Sequence, residues 1–145
     1  MAMGGVVTRG QLLHLGTVAY QALPITPKRV LVVDDDTAIR RTLKRALFLR
    51  GHTLEEAADG DTALSFLLDE GRRYDSILID NRMPGMNGRE LFNRVRDVED
   101  IRAHVVFVTG DALDPGTQAF IRETGLPYLP KPFEVVDLLA VIEGD

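Results

Sequence analysis

Short apolar runs alternate with amphipathic stretches along most of the chain. The runs RVLVVD, SILID and HVVFVT have the length and composition of buried strands, and two shorter runs follow the same pattern. The predicted strands are residues 29–34, 52–57, 76–80, 104–109 and 126–130. The amphipathic stretches that follow them predict helices at residues 37–50, 62–70, 88–97, 115–124 and 133–143.

The longest of these runs are apolar at nearly every position, where a half-exposed strand would alternate apolar and polar residues. This pattern is typical of a parallel sheet that helices cover on both faces, with right-handed crossover connections. We therefore predict an α/β fold with one doubly wound, five-stranded parallel sheet.

Capping residues place several helix ends. Asn87 followed three residues later by Glu90 resembles a capping box. Asp114 before Pro115 predicts an N-cap with proline in the first helical position. Gly51 is placed to end the first helix.

The first helix carries a cluster of cations between its apolar positions. We predict that they form the solvated face of this helix, or alternatively a contact surface for a partner protein. These cations are Arg40, Arg41, Lys44 and Arg45.

Acidic and basic residues stand where several predicted strands end. Asp34 and Asp35 end or follow the first strand, Asp80 ends the third, Thr109 ends the fourth, and Lys131 follows the fifth. Ligands bind at the carboxyl ends of the strands in such sheets, so these side chains should converge. Crowded carboxylates need a compensating cation, and Mg²⁺ prefers oxygen ligands. The pattern predicts a site for Mg²⁺ and a phosphoryl group, with a carboxylate as nucleophile.

Composition narrows the function classes further. The 145 residues include no Cys, which excludes disulfides and thiolate metal sites, and the net charge of −5 argues against nucleic-acid binding by the chain alone. No apolar run is long enough to span a bilayer, so we expect no membrane contact by the chain itself.

Four motifs together resemble the receiver domain of two-component response regulators, the chemotaxis-regulator-like, flavodoxin-like fold. They are LVVDDD (31–36), DNRMPGMNG (80–88), VTGDA (108–112) and YLPKPF (128–133). The resemblance covers about residues 28–145. It implies the strand order 2-1-3-4-5, which we take from the family.

The resemblance also implies roles for the acidic site. Asp80 would be the phosphoacceptor, Asp35 a direct ligand of Mg²⁺ (or Mn²⁺), and Asp34 a ligand that acts through water. Arg82 would supply a backbone carbonyl to the metal ion, and Lys131 would pair with the phosphoryl group.

Other positions match the switch and the rim of the pocket. Thr109 resembles the switch hydroxyl and Tyr128 the aromatic switch residue of the family. Gly110 leaves room for a phosphoryl group at the rim. We hypothesise that Arg82 and Asp111 pair across the entrance and restrict the access of water.

By this resemblance the chain is a cytoplasmic signalling module, which takes a phosphoryl group from a histidine kinase or a histidine phosphotransfer domain. It would catalyse only its own phosphorylation and dephosphorylation. The alternatives are an aspartyl-nucleophile phosphatase and a receiver-like binding module without phosphorylation. The phosphatase reading is disfavoured because Ala38 stands where its motif needs Thr or Val.

Residues 1–27 precede the resemblance and are interpreted as a leader or linker. The stretch HLGTVAYQALP faintly resembles the end of a sensor-kinase ATP-binding domain, which would make the chain the C-terminal receiver of a hybrid histidine kinase. The last predicted helix ends close to Asp145, so we expect no output domain behind it. The alternative for the leader is an extension that is disordered, pairs with a sheet edge or mediates a homodimer.

Overall fold

The computed structural model describes residues 26–110 and 114–144. They form one parallel sheet with helices on both faces, and the sheet order β2-β1-β3-β4-β5 confirms the expected topology. The strands are β1 (Arg29–Val33), β2 (Thr53–Ala57), β3 (Ser76–Asp80), β4 (Val105–Thr109) and β5 (Tyr128–Pro130).

The helices follow the strands in the expected alternation, with one addition. The one-turn helix α4 was not predicted, and α2 continues into π-helical turns at Ser65–Asp69. The helices are α1 (Thr37–Leu49), α2 (Gly60–Leu64), α3 (Gly88–Val95), α4 (Glu99–Arg102), α5 (Pro115–Thr124) and α6 (Val135–Glu143).

Apolar side chains from both faces of the sheet build two core clusters. On one face, Phe92 of α3, Phe107 of β4 and Phe120 of α5 pack edge to face with ring centroids 5.3–5.9 Å apart. On the other face, α1 and α6 pack on the sheet, and Leu47 and Leu138 are completely buried. This two-sided burial explains why β1, β3 and β4 are apolar at almost every position.

The predicted caps are confirmed. Asn87 and Glu90 form the capping box of α3, and the Asp114 carboxylate caps α5 before Pro115. Gly51 follows α1 with a φ of +87°, a left-handed conformation that glycine adopts at little cost.

Within residues 26–110 and 114–144, no helix is both long enough and apolar enough to cross a membrane. The leader lies almost entirely outside these ranges, so the expectations for it are not addressed by the fold. Because the sheet is parallel, the carboxyl ends of β1, β3, β4 and β5 lie at the same edge, where the candidate site is found.

Candidate functional site

The end of β1 holds a buried carboxylate. Asp34 is only 3% exposed, and its backbone N–H donates to the carbonyl of Ala57 at the end of β2 (3.1 Å). Its carboxylate accepts a hydrogen bond from the backbone N–H of Asp36 (2.9 Å). Asp36 in turn caps α1 through the backbone N–H groups of Ala38 and Ile39, while Asp35 is exposed.

The end of β3 holds a second buried carboxylate, that of Asp80, which is 6% exposed. Its Oδ1 accepts a hydrogen bond from the backbone N–H of Arg82 (3.3 Å), the residue two positions later in the loop. The loop then returns closely past the strand end, where a Cβ on Gly88 would lie 2.5 Å from the Asp80 carbonyl oxygen. Only glycine fits at this close approach, so α3 begins directly against the site.

Lys131 joins the two buried carboxylates. Its Nζ lies 3.2 Å from Oδ2 of Asp34 and 3.4 Å from Oδ1 of Asp80. Its backbone N–H donates to the carbonyl of Thr109 at the end of β4 (2.7 Å), so β4 fixes the position of the Lys131 backbone. Thr109 itself is completely buried. Four strand ends therefore deliver their residues to one place, which is what the sequence pattern predicted.

The carboxylates form a group that fits a hard divalent cation. One oxygen each from Asp34, Asp35 and Asp80 can be chosen so that all three lie within 4.8 Å of one another. Mg²⁺ takes oxygen ligands and usually keeps several waters, so a partly open site with three carboxylates suits it. The residues present therefore match the donor set that this ion requires.

Burial and charge perturb the titration of the site. Burial, together with the neighbouring Asp34 carboxylate, raises the pKa of Asp80 to about 6, although Lys131 opposes this shift. Burial tends to lower the pKa of Lys131, but the carboxylates of Asp34 and Asp80 outweigh it and raise the pKa overall. The ammonium group is therefore firmly charged, and the metal-free pocket carries an excess of negative charge that favours a cation.

Three of the remaining predicted positions fall within the described residues, and all three are exposed. Tyr128 at the start of β5 is 46% exposed, and Gly110 is exposed just after β4. Arg82 is exposed on the loop after β3. Asp111 lies outside the described residues, so the hypothesis that it pairs with Arg82 stays a prediction.

Arg40 was wrongly predicted as part of a solvated helix face. Its guanidinium donates to the backbone carbonyl of Asp34 (2.6 Å) and pairs with the carboxylate of Glu56 (3.0 Å), and its side chain is 13% exposed. The sequence offers no signal for this role, because Arg40 and Arg41 look alike in the helical pattern. Only the fold shows which of the two turns toward the strand end.

The chain is similar to known proteins over most of its length. The chain matches the response regulator receiver domain family over residues 30–143. Response regulator MprA of Mycolicibacterium vanbaalenii is 36% identical over 119 residues, which are 79% of this chain and 48% of that protein. The homologue of Mycobacterium ulcerans is 37% identical over 117 residues, 77% of this chain and 47% of that protein. The chain thus spans about half the length of the curated relatives it matches.

Solved structures agree with the sequence comparison. The chemotaxis protein CheY4 of Vibrio cholerae is 31% identical with a TM-score of 0.69, covering 79% of this chain and 94% of that one. The receiver domain of the sensor histidine kinase PA1611 from Pseudomonas aeruginosa is 28% identical with a TM-score of 0.70, covering 81% and 95% of the two chains. That structure holds a magnesium ion in its active-site cleft. With its parallel sheet and its acidic site beside a lysine, the chain belongs to the response regulator receiver domain family of two-component signalling.

Proposed function

We propose that this domain accepts a phosphoryl group on Asp80 and changes its conformation in response. The observation that carries the proposal is the contact of one ammonium group, that of Lys131, with two buried carboxylates at adjacent strand ends. Asp34 and Asp35 complete an oxygen donor set for Mg²⁺, and Mn²⁺ would suit the same ligands. By the family resemblance, Asp35 and the carbonyl of Arg82 would bind the ion directly and Asp34 through water.

The chemistry follows from the positions of these groups. A carboxylate oxygen of Asp80 attacks phosphorus, an O–P bond forms, and the N–P bond of a phosphohistidine breaks. The imidazole leaves with the electron pair of that bond and takes up a proton. At neutral pH a carboxyl with a pKa of about 6 is mostly ionised, so Asp80 is ready to act as the nucleophile.

The groups around Asp80 would stabilise the negative charge of the phosphoryl oxygens. Mg²⁺, when bound, would neutralise charge on the phosphoryl oxygens. Lys131 already lies 3.4 Å from Asp80, so its ammonium can pair with a phosphoryl oxygen after a small movement. Water can hydrolyse the resulting acyl phosphate at the same site, so the domain would return to its starting state without acting on a separate substrate.

The conformational response would run through β4 and β5. The buried Thr109 hydroxyl would turn toward a phosphoryl oxygen, and this movement would leave space for the half-exposed ring of Tyr128 to move inward. The carbonyl of Thr109 also holds the backbone of Lys131 (2.7 Å), which couples the two strand ends. Phosphorylation at Asp80 would thereby alter the surface near β4, β5 and α5.

We propose as partners a histidine kinase or a histidine phosphotransfer domain, in the cytoplasm where such kinases obtain ATP. We expect that the domain alone contacts neither nucleic acid nor membrane, and a homodimer is a further possibility. Residues 28–145 would form the receiver, and residues 1–27 a linker from another domain, as in a hybrid kinase.

The test uses a small phosphodonor, acetyl phosphate, and the intact mass of the protein. We expect a gain of one phosphoryl group in the presence of Mg²⁺, and no gain in EDTA or in an Asp80→Asn variant. An Asp97→Asn variant, which changes an exposed acid, is the matched control and should gain the group normally. Labelling that persists in Asp80→Asn, or sustained turnover of p-nitrophenyl phosphate, would contradict the proposal.

A further inference from the structure

Arg40 lies behind the acidic site and contacts the loop that carries it. One guanidinium nitrogen donates to the backbone carbonyl of Asp34 at 2.6 Å, and a second donates to the hydroxyl oxygen of Thr37 at 3.4 Å. The remaining nitrogen, Nε, pairs with Glu56 at 3.0 Å. We propose that Arg40 is a positioning residue that holds Asp34 and Asp35 in the geometry that binds Mg²⁺.

Strand β2 supports this loop at two successive residues. The carbonyl of Ala57 accepts the backbone N–H of Asp34 (3.1 Å), and the carboxylate of Glu56 anchors the guanidinium that holds the Asp34 carbonyl. The N–H of Asp34 is therefore held by β2 directly, and its carbonyl is held by Arg40 of α1, which Glu56 of β2 anchors. Because Glu56 of β2 holds the Arg40 guanidinium, Arg40 in turn holds the peptide between Asp34 and Asp35 in one orientation.

That peptide sets where the two acidic side chains point. Asp34 uses Oδ1 for the backbone of Asp36 and Oδ2 for Lys131, so a rotation of its backbone would disturb both contacts. Asp35 is exposed, and its carboxylate forms no hydrogen bond with any residue of 26–110 or 114–144, so the direction of this side chain depends on the backbone that carries it. Residues that orient metal ligands commonly change metal affinity by tenfold or more when they are altered.

The charge of Arg40 would act in the opposite direction. A guanidinium near a cation site repels the cation, although here Glu56 neutralises it at 3.0 Å and also lies 3.6 Å from Lys44. If charge were the main contribution, removing Arg40 would make the site more negative and tighten Mg²⁺ binding. If positioning is the main contribution, removing it weakens binding. The sign of the change therefore separates the two explanations.

The inference rests on the proposed function, and the experiment is designed to separate their failures. Mg²⁺ affinity is measured by isothermal titration calorimetry on the wild-type protein and on Arg40→Met, Arg40→Lys and Arg41→Met. Arg40→Lys retains the charge but cannot make three contacts at once. Arg41→Met removes the same charge from the exposed neighbour on α1 and serves as the electrostatic control.

We expect the dissociation constant for Mg²⁺ to rise about tenfold in both Arg40 variants. We expect it to change less than twofold in Arg41→Met. Phosphorylation by acetyl phosphate at saturating Mg²⁺ should recover in the Arg40 variants, because the acceptor and Lys131 remain. Far-UV circular dichroism confirms that each variant is folded at the assay temperature.

Several results would overturn the inference. Unchanged or tighter binding in Arg40→Lys, or a loss in Arg41→Met as large as in Arg40→Met, would rule out positioning by the guanidinium. If both Arg40 variants are unfolded, Arg40 is needed for the stability of the whole fold, and the positioning role is rejected. A wild-type protein that binds no Mg²⁺ would refute the proposed function itself, which is a different outcome.

Discussion

Replacing Asp80 by Asn should make the metal-free domain more stable, although it removes the group on which the function depends. The Asp80 carboxyl is 6% exposed, and burial and the nearby Asp34 carboxylate raise its pKa to about 6. Keeping this buried group ionised at neutral pH therefore costs folding free energy. Asparagine has nearly the same shape and still offers an oxygen to the backbone N–H of Arg82.

The magnitude follows from the difference between the folded pKa, about 6, and the ordinary value of 3.8. At 1.36 kcal/mol for each unit, the ionised group costs up to about 3 kcal/mol at neutral pH. The pKa of about 6 already includes the attraction between Asp80 and Lys131, and the cost of burying the new amide group offsets part of the gain. We expect a net stabilisation of about 2 kcal/mol for Asp80→Asn at pH 7.5.

The sign of the pH dependence is equally specific. Between pH 3.8 and about 6 the folded wild-type protein binds more protons at Asp80 than the unfolded chain does. Its stability therefore falls as the pH rises through this window and is then constant, and the variant lacks this contribution. The difference in unfolding free energy between variant and wild type should be near zero at pH 4 and reach its full value above pH 6.

Urea unfolding in EDTA between pH 4 and pH 8, followed by circular dichroism, measures this difference. Asp97→Asn is the control for replacing an exposed acid, and its unfolding free energy should stay within about 0.5 kcal/mol of wild type. Mg²⁺ should stabilise the wild-type protein by about 2.7 kcal/mol at one hundred times its dissociation constant, and Asp80→Asn much less. A metal-free Asp80→Asn protein that is less stable than wild type at pH 7.5 would refute the reasoning.

Two further predictions concern the buried ion pairs of Glu143 in α6 and the glycine at the start of α3. The Glu143 carboxylate lies 2.6 Å from the buried ring of His52 and also pairs with an arginine, and these partners outweigh burial and hold the pKa of Glu143 below its usual range. The ionised Glu143 carboxylate therefore stabilises the fold above pH 4.5, and this stabilisation is lost on acidification. Glu143→Gln should lower the unfolding free energy by about 1–3 kcal/mol at pH 7 but little at pH 3. An unchanged urea midpoint at pH 7 would contradict this prediction. Gly88→Ala should lower the melting temperature and slow Mg²⁺-dependent labelling, since the new Cβ would lie 2.5 Å from the Asp80 carbonyl oxygen. Gly110→Ala should leave the melting temperature unchanged, since among residues 26–110 and 114–144 the new Cβ would meet no atom within 4 Å apart from its chain neighbours. Equal melting temperatures for the two glycine variants would show that α3 can move away from the strand end without cost.

The strands and the site residues could be predicted because their signals are local. A buried parallel strand is apolar at each position, and the acids and the lysine stand directly at the ends of such runs. Asp34, Asp80 and Lys131 were therefore expected to meet before their distances were known. The order of the strands could not be predicted in this way, because the sequence of a strand does not determine which strands pair with it. We took the strand order from the resemblance to receiver domains.

The features that escaped prediction depend on tertiary contacts. The guanidinium of Arg40 is distinguished from that of Arg41 only by the rotation of α1 on the sheet, which brings it to Glu56 and the Asp34 carbonyl. The helix α4 is a single turn, too short to show a helical period.

The central claim is that distant strand ends make one phosphoacceptor site with Asp80 as the nucleophile. Its most direct test is to label the protein with acetyl phosphate and Mg²⁺, reduce the acyl phosphate with borohydride, and map the modified residue by peptide mass spectrometry. We predict homoserine at position 80 and at no other acid. Homoserine at Asp34 or Asp35, or an unmodified Asp80 in a protein that has gained the phosphoryl mass, would contradict the account.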